Sequence, residues 1–418
     1  MNELALFGGE PVQRGAWPKW PIHDQREVER LVKVARSGVW GYNGPEEAEF
    51  RAAFCRYLGV KHGICVTNGT HALQLALEAL DVGAYDEVIV PGLTWQATAA
   101  CALDVNAVPV LADIDPETLT LDPKAVLAAI TPRTKAIVPV HLYGRVAEMD
   151  ALLAIGREHG IPVVEDCSHQ HGSEWRERKV GSLGALGCFS LQASKVLNSG
   201  EGGFISTNDE RLYRRLEALR SCGRYGFADD VLPLDRVPQS GNYRISEMQA
   251  AILNVQLARL PEQVARREEA GALLDRLLAD VPGIAPLRRA PQITRQSSYA
   301  YSFRYDKQAF GGLRRGRFCE ALGAEMGLGF GGTYEPLHKT FLYKPQTKRR
   351  HRLGEAYWKQ IDPKRFALPE CERAHAEIVL VAQTFLLGER AQLEKLPEAI
   401  EKVRRHAGAL LSEPALKA

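Results

Sequence analysis

The eight cysteines include no C-x-x-C pair: Cys55, Cys65, Cys101, Cys167, Cys188, Cys222, Cys319 and Cys371 are scattered along the chain. That spacing speaks against a zinc site and against a small disulfide scaffold. It leaves reduced, mostly buried thiols in a cytoplasmic protein as the expectation. An excess of one charge is lacking too. The 53 Lys+Arg face 51 Asp+Glu, a formal net charge of +2, so no nucleic acid or other polyelectrolyte is expected as a partner. No apolar run reaches the roughly 18 residues of a membrane span, so no membrane partner is expected. The start, MNELALFGGEPVQRG, has no basic stretch leading into a long apolar core, so a cleaved signal is not expected. What remains is ordinary globular composition, 45% hydrophobic and 25% charged, which excludes a fibre or a disordered chain. For 418 residues, at about 150 residues per domain, two or three domains are expected.

Between about 60 and 210 the pattern alternates strand and helix. HGICVTN is a short buried strand, and THALQLALEAL places Ala72, Leu73, Ala76, Leu77 and Leu80 along one helical stripe. Thr67 and Thr70 are cap candidates at its start. DEVIVPG, AVPVLAD, TKAIVPVHL, PVVEDC, CFSLQ and GGFISTN follow as strands. TWQATAACALDV, a segment opening at Asp122-Pro123, and MDALLAIGREHG ending at Gly160 form the interposed helices. Strands that are continuous apolar runs are buried on both faces, and intervening helices imply parallel crossovers. This predicts an α/β domain with a mostly parallel sheet of about seven strands, and ligands bind at the end where strands feed into helices. Residues 223–241, rich in Gly, Pro and Asp, predict a loop. SEMQAAILNVQLARL predicts a helix stopped before Pro261, and EQVARREEAGALLDRLLAD a second one. We divide the chain into 1–261, the N-terminal segment with the large α/β domain, and 262–418, a smaller α+β domain closed by a helix near 389–406. The basic tract from Lys348 to Arg352 has no neighbouring aromatic stripe and reads as a solvated loop before it reads as a phosphate patch.

Four places carry chemistry. Lys195, in LQASKVLNSGEGG, follows a strand and precedes a glycine-rich turn. Held at the mouth of the sheet and partly desolvated, its amine becomes nucleophilic; a surface lysine beside a loop would carry the same letters. Asp166, in PVVEDCSHQHG, ends a buried strand, where a carboxylate needs a cation or donors. The protonated nitrogen of a pyridine ring is one such cation. A metal held with His169 and His171 is the alternative, although three ligands so close in sequence are poorly disposed. The VTNGTHAL turn offers free N–H groups at a helix N-terminus, an anion site with Gly69, Thr70 and Thr67 as candidates. Trp95, just past a strand, could stack on a planar ring or pack in the core. A lysine, a strand-end aspartate, a phosphate turn and an aromatic at one end of one sheet together fit pyridoxal 5′-phosphate, and no metal is expected.

TNGTHAL, PGLTWQAT, EDCSHQHG, FSLQASKVLNSGEGG, NYRISEMQAA and YEPLH, in this order, resemble the DegT/DnrJ/EryC1/StrS family over essentially the whole chain. The resemblance implies a fold type I, pyridoxal-phosphate-dependent aminotransferase acting on keto-sugars or cyclitols. It implies Lys195 as the Schiff-base lysine, Asp166 as partner of the ring nitrogen, and His169 as contact of the phenolic oxygen. Trp95 would stack on the ring, and Gly69, Thr70 and Ser190 would bind the phosphate. Asn242 would reach the phosphate of a neighbouring subunit, hence a homodimer with shared active sites. His338 and Tyr334 would lie near the substrate. The chain departs from the pattern at Ser240, where Gly is frequent, at Cys167, where Ala is usual, and at Gln383, where histidine is expected. SLGALGCFSLQASKVLNSGEGG, RQSSYAYSFRYDKQAFGGL and YEPLHKTFLYKPQTKRRHRL resemble the glutamine-dependent cyclitol branch, which aminates scyllo-inosose or its 2-deoxy form with an amino-acid donor, L-glutamine or L-glutamate. Alternatives are an enzyme for a nucleotide-linked keto-sugar, one like 3-amino-5-hydroxybenzoate synthase, a dehydratase on the same fold, or a non-catalytic sensor. Dehydratase relatives carry histidine at the lysine position, so Lys195 speaks against that reading.

Overall fold

The computed structural model describes residues 3–42, 44–224 and 238–412. The central sheet contains β1 (His62–Val66), β2 (Glu87–Pro91), β3 (Val108–Ala112), β4 (Thr134–Ile137), β5 (Val164–Asp166), β6 (Leu186–Ser190) and β7 (Gly203–Thr207). Two ladders, β1-β7-β6-β5 and β3-β2-β4, are joined by parallel bridges Ile137↔Val163 and Val140↔Asp166. Seven strands thus run in the order β1-β7-β6-β5-β4-β2-β3. Only β7 is antiparallel to its neighbours. The physical reason is the connection. No helix intervenes between β6 and β7, and a short loop folds back on itself through Leu191 N–H to Gly202 O (2.8 Å) and Ala193 N–H to Gly200 O (2.8 Å). A chain that folds straight back on the strand it leaves can pair with it only antiparallel, so β7 is reversed.

Both faces of this sheet are covered, as unbroken apolar strands require. Ile64, Val66, Val88 and Val90 join one core with Leu73 and Leu77, whereas Cys65, Ile89, Phe189 and Phe204 join the other with Phe50 and Phe54. Successive strand residues point to opposite faces, so one run feeds two cores. The helices on the two faces are α1 (Gln25–Ser37), α2 (Pro45–Leu58), α3 (Gly69–Ala79), α4 (Ala97–Asp104), α5 (Pro123–Ala129), α6 (Met149–His159), α7 (Glu210–Arg220) and α8 (Glu247–Leu278). α5 opens at Asp122, whose side chain accepts from Lys124 N–H, and α6 stops at left-handed Gly160, as expected. At α3 the cap is Asn68 rather than Thr67 or Thr70; its side chain accepts the His71 N–H at 2.8 Å.

The helix expected to stop before Pro261 does not stop. α8 runs 32 residues with Pro261 inside it. A mid-helix proline costs about 3 kcal/mol, and packing along both halves of the helix outweighs it. Leu253, Leu257, Leu260 and Val264 enter the core shared with the large sheet. Ala270, Leu273, Leu274 and Leu278 enter a third core with Phe303, Phe318 and Phe385. That core lies on a four-stranded antiparallel sheet of Ile284–Pro286, Ala300–Tyr305, Ile378–Ala382 and Phe330–Gly332. Leu337, Tyr343, Tyr357 and Leu368 instead return to the core of the large sheet. The helix expected near 389–406 is two, Arg390–Leu393 and Leu396–Arg405, with Pro397 at the start of the second. The basic tract folds as a short 3-10 turn tied to α4: Arg350 bonds Asp104, and Lys348 lies 3.8 Å from the same carboxylate. Seven cysteines are buried and Cys222 is exposed, all of them free. Most of the loop expected at 223–241 lies outside the described residues. No helix among the described residues is long and apolar enough to cross a membrane.

Candidate active site

The loops that leave β1, β2, β5 and β6 at one edge of the sheet enclose a cavity of about 510 Å3. Gly69, Thr70, Trp95, Asp166, His169, Ser190, Lys195 and Tyr334 all line it. Asn242 and His338 do not.

Asp166 closes β5 and is 4% exposed. Its Oδ2 accepts a hydrogen bond from Thr98 Oγ1 (2.9 Å), and its Oδ1 accepts one from Ser168 N–H (3.1 Å). Thr98 Oγ1 is also 3.0 Å from Thr94 Oγ1. Glu165, one residue earlier, points to the other face. Its carboxylate accepts from the N–H groups of Gly181 (2.9 Å), Leu183 (2.8 Å) and Gly184 (2.8 Å) and sits 3.1 Å from His141 Nε2. Strand alternation thus gives one carboxylate to the cavity and the other to a loop.

Lys195 reaches the cavity from the β6–β7 loop. Its Nζ lies 4.4 Å above the ring of Tyr299. Burial pushes its amine down from 10.5 to about 8, against the opposing pull of the Asp166 charge. About a tenth of this amine is therefore free base at pH 7, far more than for an ordinary lysine. His169 stacks on Tyr299 with ring centroids 3.9 Å apart, and its Nε2 lies 3.4 Å from Tyr334 Oη. Burial first, then the Lys195 and His171 charges, hold His169 well below its ordinary value, so it is a neutral imidazole. Its Nδ1 is buried with no hydrogen-bond partner. His171 Nε2 is 2.9 Å from the carbonyl oxygen of Ser190. Asp166, His169 and His171 therefore do not converge on one point.

The anion turn is built by close approach. A Cβ added to Gly69 would fall 2.8 Å from Ser190 Cβ and 3.1 Å from Ser190 Cα, so only glycine lets α3 start against β6. The first-turn N–H groups at Gly69 and Thr70 have no acceptor inside the helix. Thr67 does not line the cavity, and its hydroxyl is bonded to His71 Nδ1. Trp95 is 46% exposed at the cavity mouth, its ring centroid 5.5 Å from that of Tyr334. Asn242 is exposed, and its Oδ1 accepts the Arg244 N–H at 3.3 Å. His338 Nε2 is held 2.8 Å from Glu372 Oε1.

These residues fit pyridoxal 5′-phosphate. The cavity lining offers a helix N-terminus at Gly69 and Thr70 for a phosphate, the Asp166 carboxylate for a ring nitrogen, and a buried His169 nitrogen that lacks a partner. Sequence reasoning missed Thr98, Thr94 and Tyr299. Thr94 and Thr98 are four apart, and that spacing beside Trp95 was the available signal. Tyr299 arrives from a distant segment and left none.

The chain is 46% identical to an L-glutamine:2-deoxy-scyllo-inosose aminotransferase of Streptoalloteichus tenebrarius, over 97% of this chain and 99% of that one. It is 40% identical to an L-glutamine:scyllo-inosose aminotransferase of Streptomyces griseus, over 96% and 97%. The crystal structure of 3-amino-5-hydroxybenzoic acid synthase superposes with a TM-score of 0.80 at 34% identity, covering 93% of this chain and 99% of that one. The family model for DegT/DnrJ/EryC1/StrS aminotransferases matches residues 21–373. With that match and these full-length likenesses, the chain belongs to the DegT/DnrJ/EryC1/StrS aminotransferase family.

Proposed function

We propose that this aminotransferase moves an amino group from L-glutamine to a keto-cyclitol, 2-deoxy-scyllo-inosose or scyllo-inosose, with pyridoxal 5′-phosphate as cofactor. The observation that carries the substrate reading is the 46% identity, over 97% of the chain, to a relative named for that donor and that acceptor.

Gly69, Thr70 and Ser190 would hold the phosphate, Asp166 the ring nitrogen, His169 the phenolic oxygen, and Trp95 one face of the ring. Bound pyridoxal phosphate supplies an aldehyde that takes up the amino group and a protonated ring that draws electrons from the adjacent carbon. Lys195 Nζ is then the base. With its amine near 8, it accepts the proton from the donor's α-carbon and, in the reverse sense, delivers one to the former carbonyl carbon of the acceptor. Thr98 and Ser168 keep the Asp166 carboxylate aimed into the cavity, since both of its oxygens are bonded. Tyr299, stacked on His169 and lying under Lys195, limits how far either can turn. Tyr334, a wall of the cavity, would meet substrate, and His338, paired with Glu372, would lie near it. Asn242, exposed and outside this cavity, would serve the site of a second subunit in a homodimer.

The test is an assay with L-glutamine and L-glutamate against scyllo-inosose, its 2-deoxy form and nucleotide-linked keto-hexoses. Amination of a free keto-cyclitol with glutamine is expected; turnover of the nucleotide-linked ketones alone overturns the substrate reading. Borohydride trapping with peptide mapping is expected to mark Lys195, and a Lys195→Ala protein to lose about 10³-fold or more in rate.

A further inference from the structure

Arg267, on the inner side of α8, is fully buried and has no carboxylate partner among the described residues. Its guanidinium lies over the Trp20 ring, 5.1 Å from the centroid. Nη1 donates to the Gln263 carbonyl oxygen at 3.1 Å. Nε (2.9 Å) and Nη2 both donate to one atom, Oε1 of Gln383. Burial lowers this guanidinium to about 9, so it is still a cation near neutral pH. A buried cation held only by neutral groups is costly.

The arrangement sets the orientation of Gln383. With Oε1 taken by two guanidinium N–H groups, the amide cannot flip, and Nε2 must point away from Arg267. Gln383 is 2% exposed, and its Nε2 has no acceptor among the described residues. It lines a second cavity of about 310 Å3 with Trp20, Tyr143 and Thr384. Ser194, Tyr299 and Tyr334 belong to the walls of both this cavity and the reaction cavity. The second cavity therefore adjoins the reaction cavity, and Gln383, its Nε2 unused, is one of its walls. Its remaining walls are Ala300, Gly332 and the strand residues Leu380 to Ala382.

We propose that Gln383 is a substrate-binding residue whose Nε2 donates to an oxygen of the bound substrate, and that Arg267 is the positioning residue that aims it. The inference rests on the transaminase reading above. The oxygen belongs either to the amino-acid donor or to a ring hydroxyl of the keto-cyclitol, and the two half-reactions separate these sources.

Gln383→Glu keeps an oxygen for Arg267 and removes the donor; Gln383→Met removes the donor without adding charge. Each half-reaction is followed by single-turnover absorbance of the holoenzyme, L-glutamine alone first and then ketone with the amine-charged enzyme. Both variants are expected to raise the half-saturating concentration about tenfold, the worth of one hydrogen bond, in one half-reaction. The saturating rate should stay within about twofold and the cofactor absorbance should be retained, because the bond serves binding rather than the reacting carbon. A shift with glutamine assigns the oxygen to the donor, and a shift with ketone assigns it to the cyclitol. Unchanged values in both half-reactions, or a shift with the Glu variant alone, overturn the proposal. Failure of the transaminase reading would show differently, as a wild-type enzyme inert toward both substrates.

Discussion

Gly69→Ala adds one methyl group where α3 begins against β6. The added carbon would stand 2.8 Å from Ser190 Cβ and 3.1 Å from Ser190 Cα. Ordinary contact begins near 3.4 Å, so about half an ångström must be found. Ser190 cannot yield it cheaply, since it pairs with Gly203 of β7 and its strand also pairs with β5. The helix start must move instead. Overpacking of this kind costs about 1–3 kcal/mol. In cofactor-free protein the turn relaxes away from β6. Binding the phosphate has to draw it back, so the cost falls on cofactor affinity and weakens it by about 5- to 150-fold. The assay is absorbance titration of cofactor-stripped protein with pyridoxal phosphate. Gly83→Ala is the control, because a Cβ there meets nothing within 4 Å. Wild-type affinity in Gly69→Ala, or an equal loss in the control, would refute the steric reasoning.

Cofactor-free protein should react with an aldehyde reagent at Lys195 with a half-maximal rate near pH 8, because burial lowers that amine to about 8. The fold then binds fewer protons than the unfolded chain between about 8 and 10.5, so this group makes stability rise with pH across that window. A reactivity midpoint at the ordinary lysine value would contradict the desolvation argument. Thr98→Val removes the side-chain donor to Asp166 Oδ2 and should slow turnover about tenfold with the melting temperature nearly kept; an unchanged rate would show that Ser168 N–H suffices. Gly271→Ala lies inside α8 with nothing within 4 Å of the new carbon and should stabilise by about 0.5–1 kcal/mol, read from urea unfolding.

The strands and most helices of the large domain were legible because their signals are local. An apolar run bounded by Gly, Asp or Pro specifies a strand buried on both faces, and Asp122-Pro123 and Gly160 mark helix ends by backbone chemistry alone. The same is true of Lys195, Asp166 and the Gly69 turn, since each follows a strand and the loops after parallel strands meet at one edge. Pro261 shows the limit. Its local signal says stop, and the packing of α8 against two cores overrides it. Tertiary structure also decided what Glu165 does: its carboxylate is taken up by the N–H groups of Gly181, Leu183 and Gly184, a loop that only the packed sheet brings to it. It decided that Tyr299 stacks on His169, and that Arg267 and Gln383, 116 positions apart, share one hydrogen-bonded pair. Residue order encodes how each segment is shaped. Which distant side chains touch is settled only when burying both faces of the sheet brings the segments together.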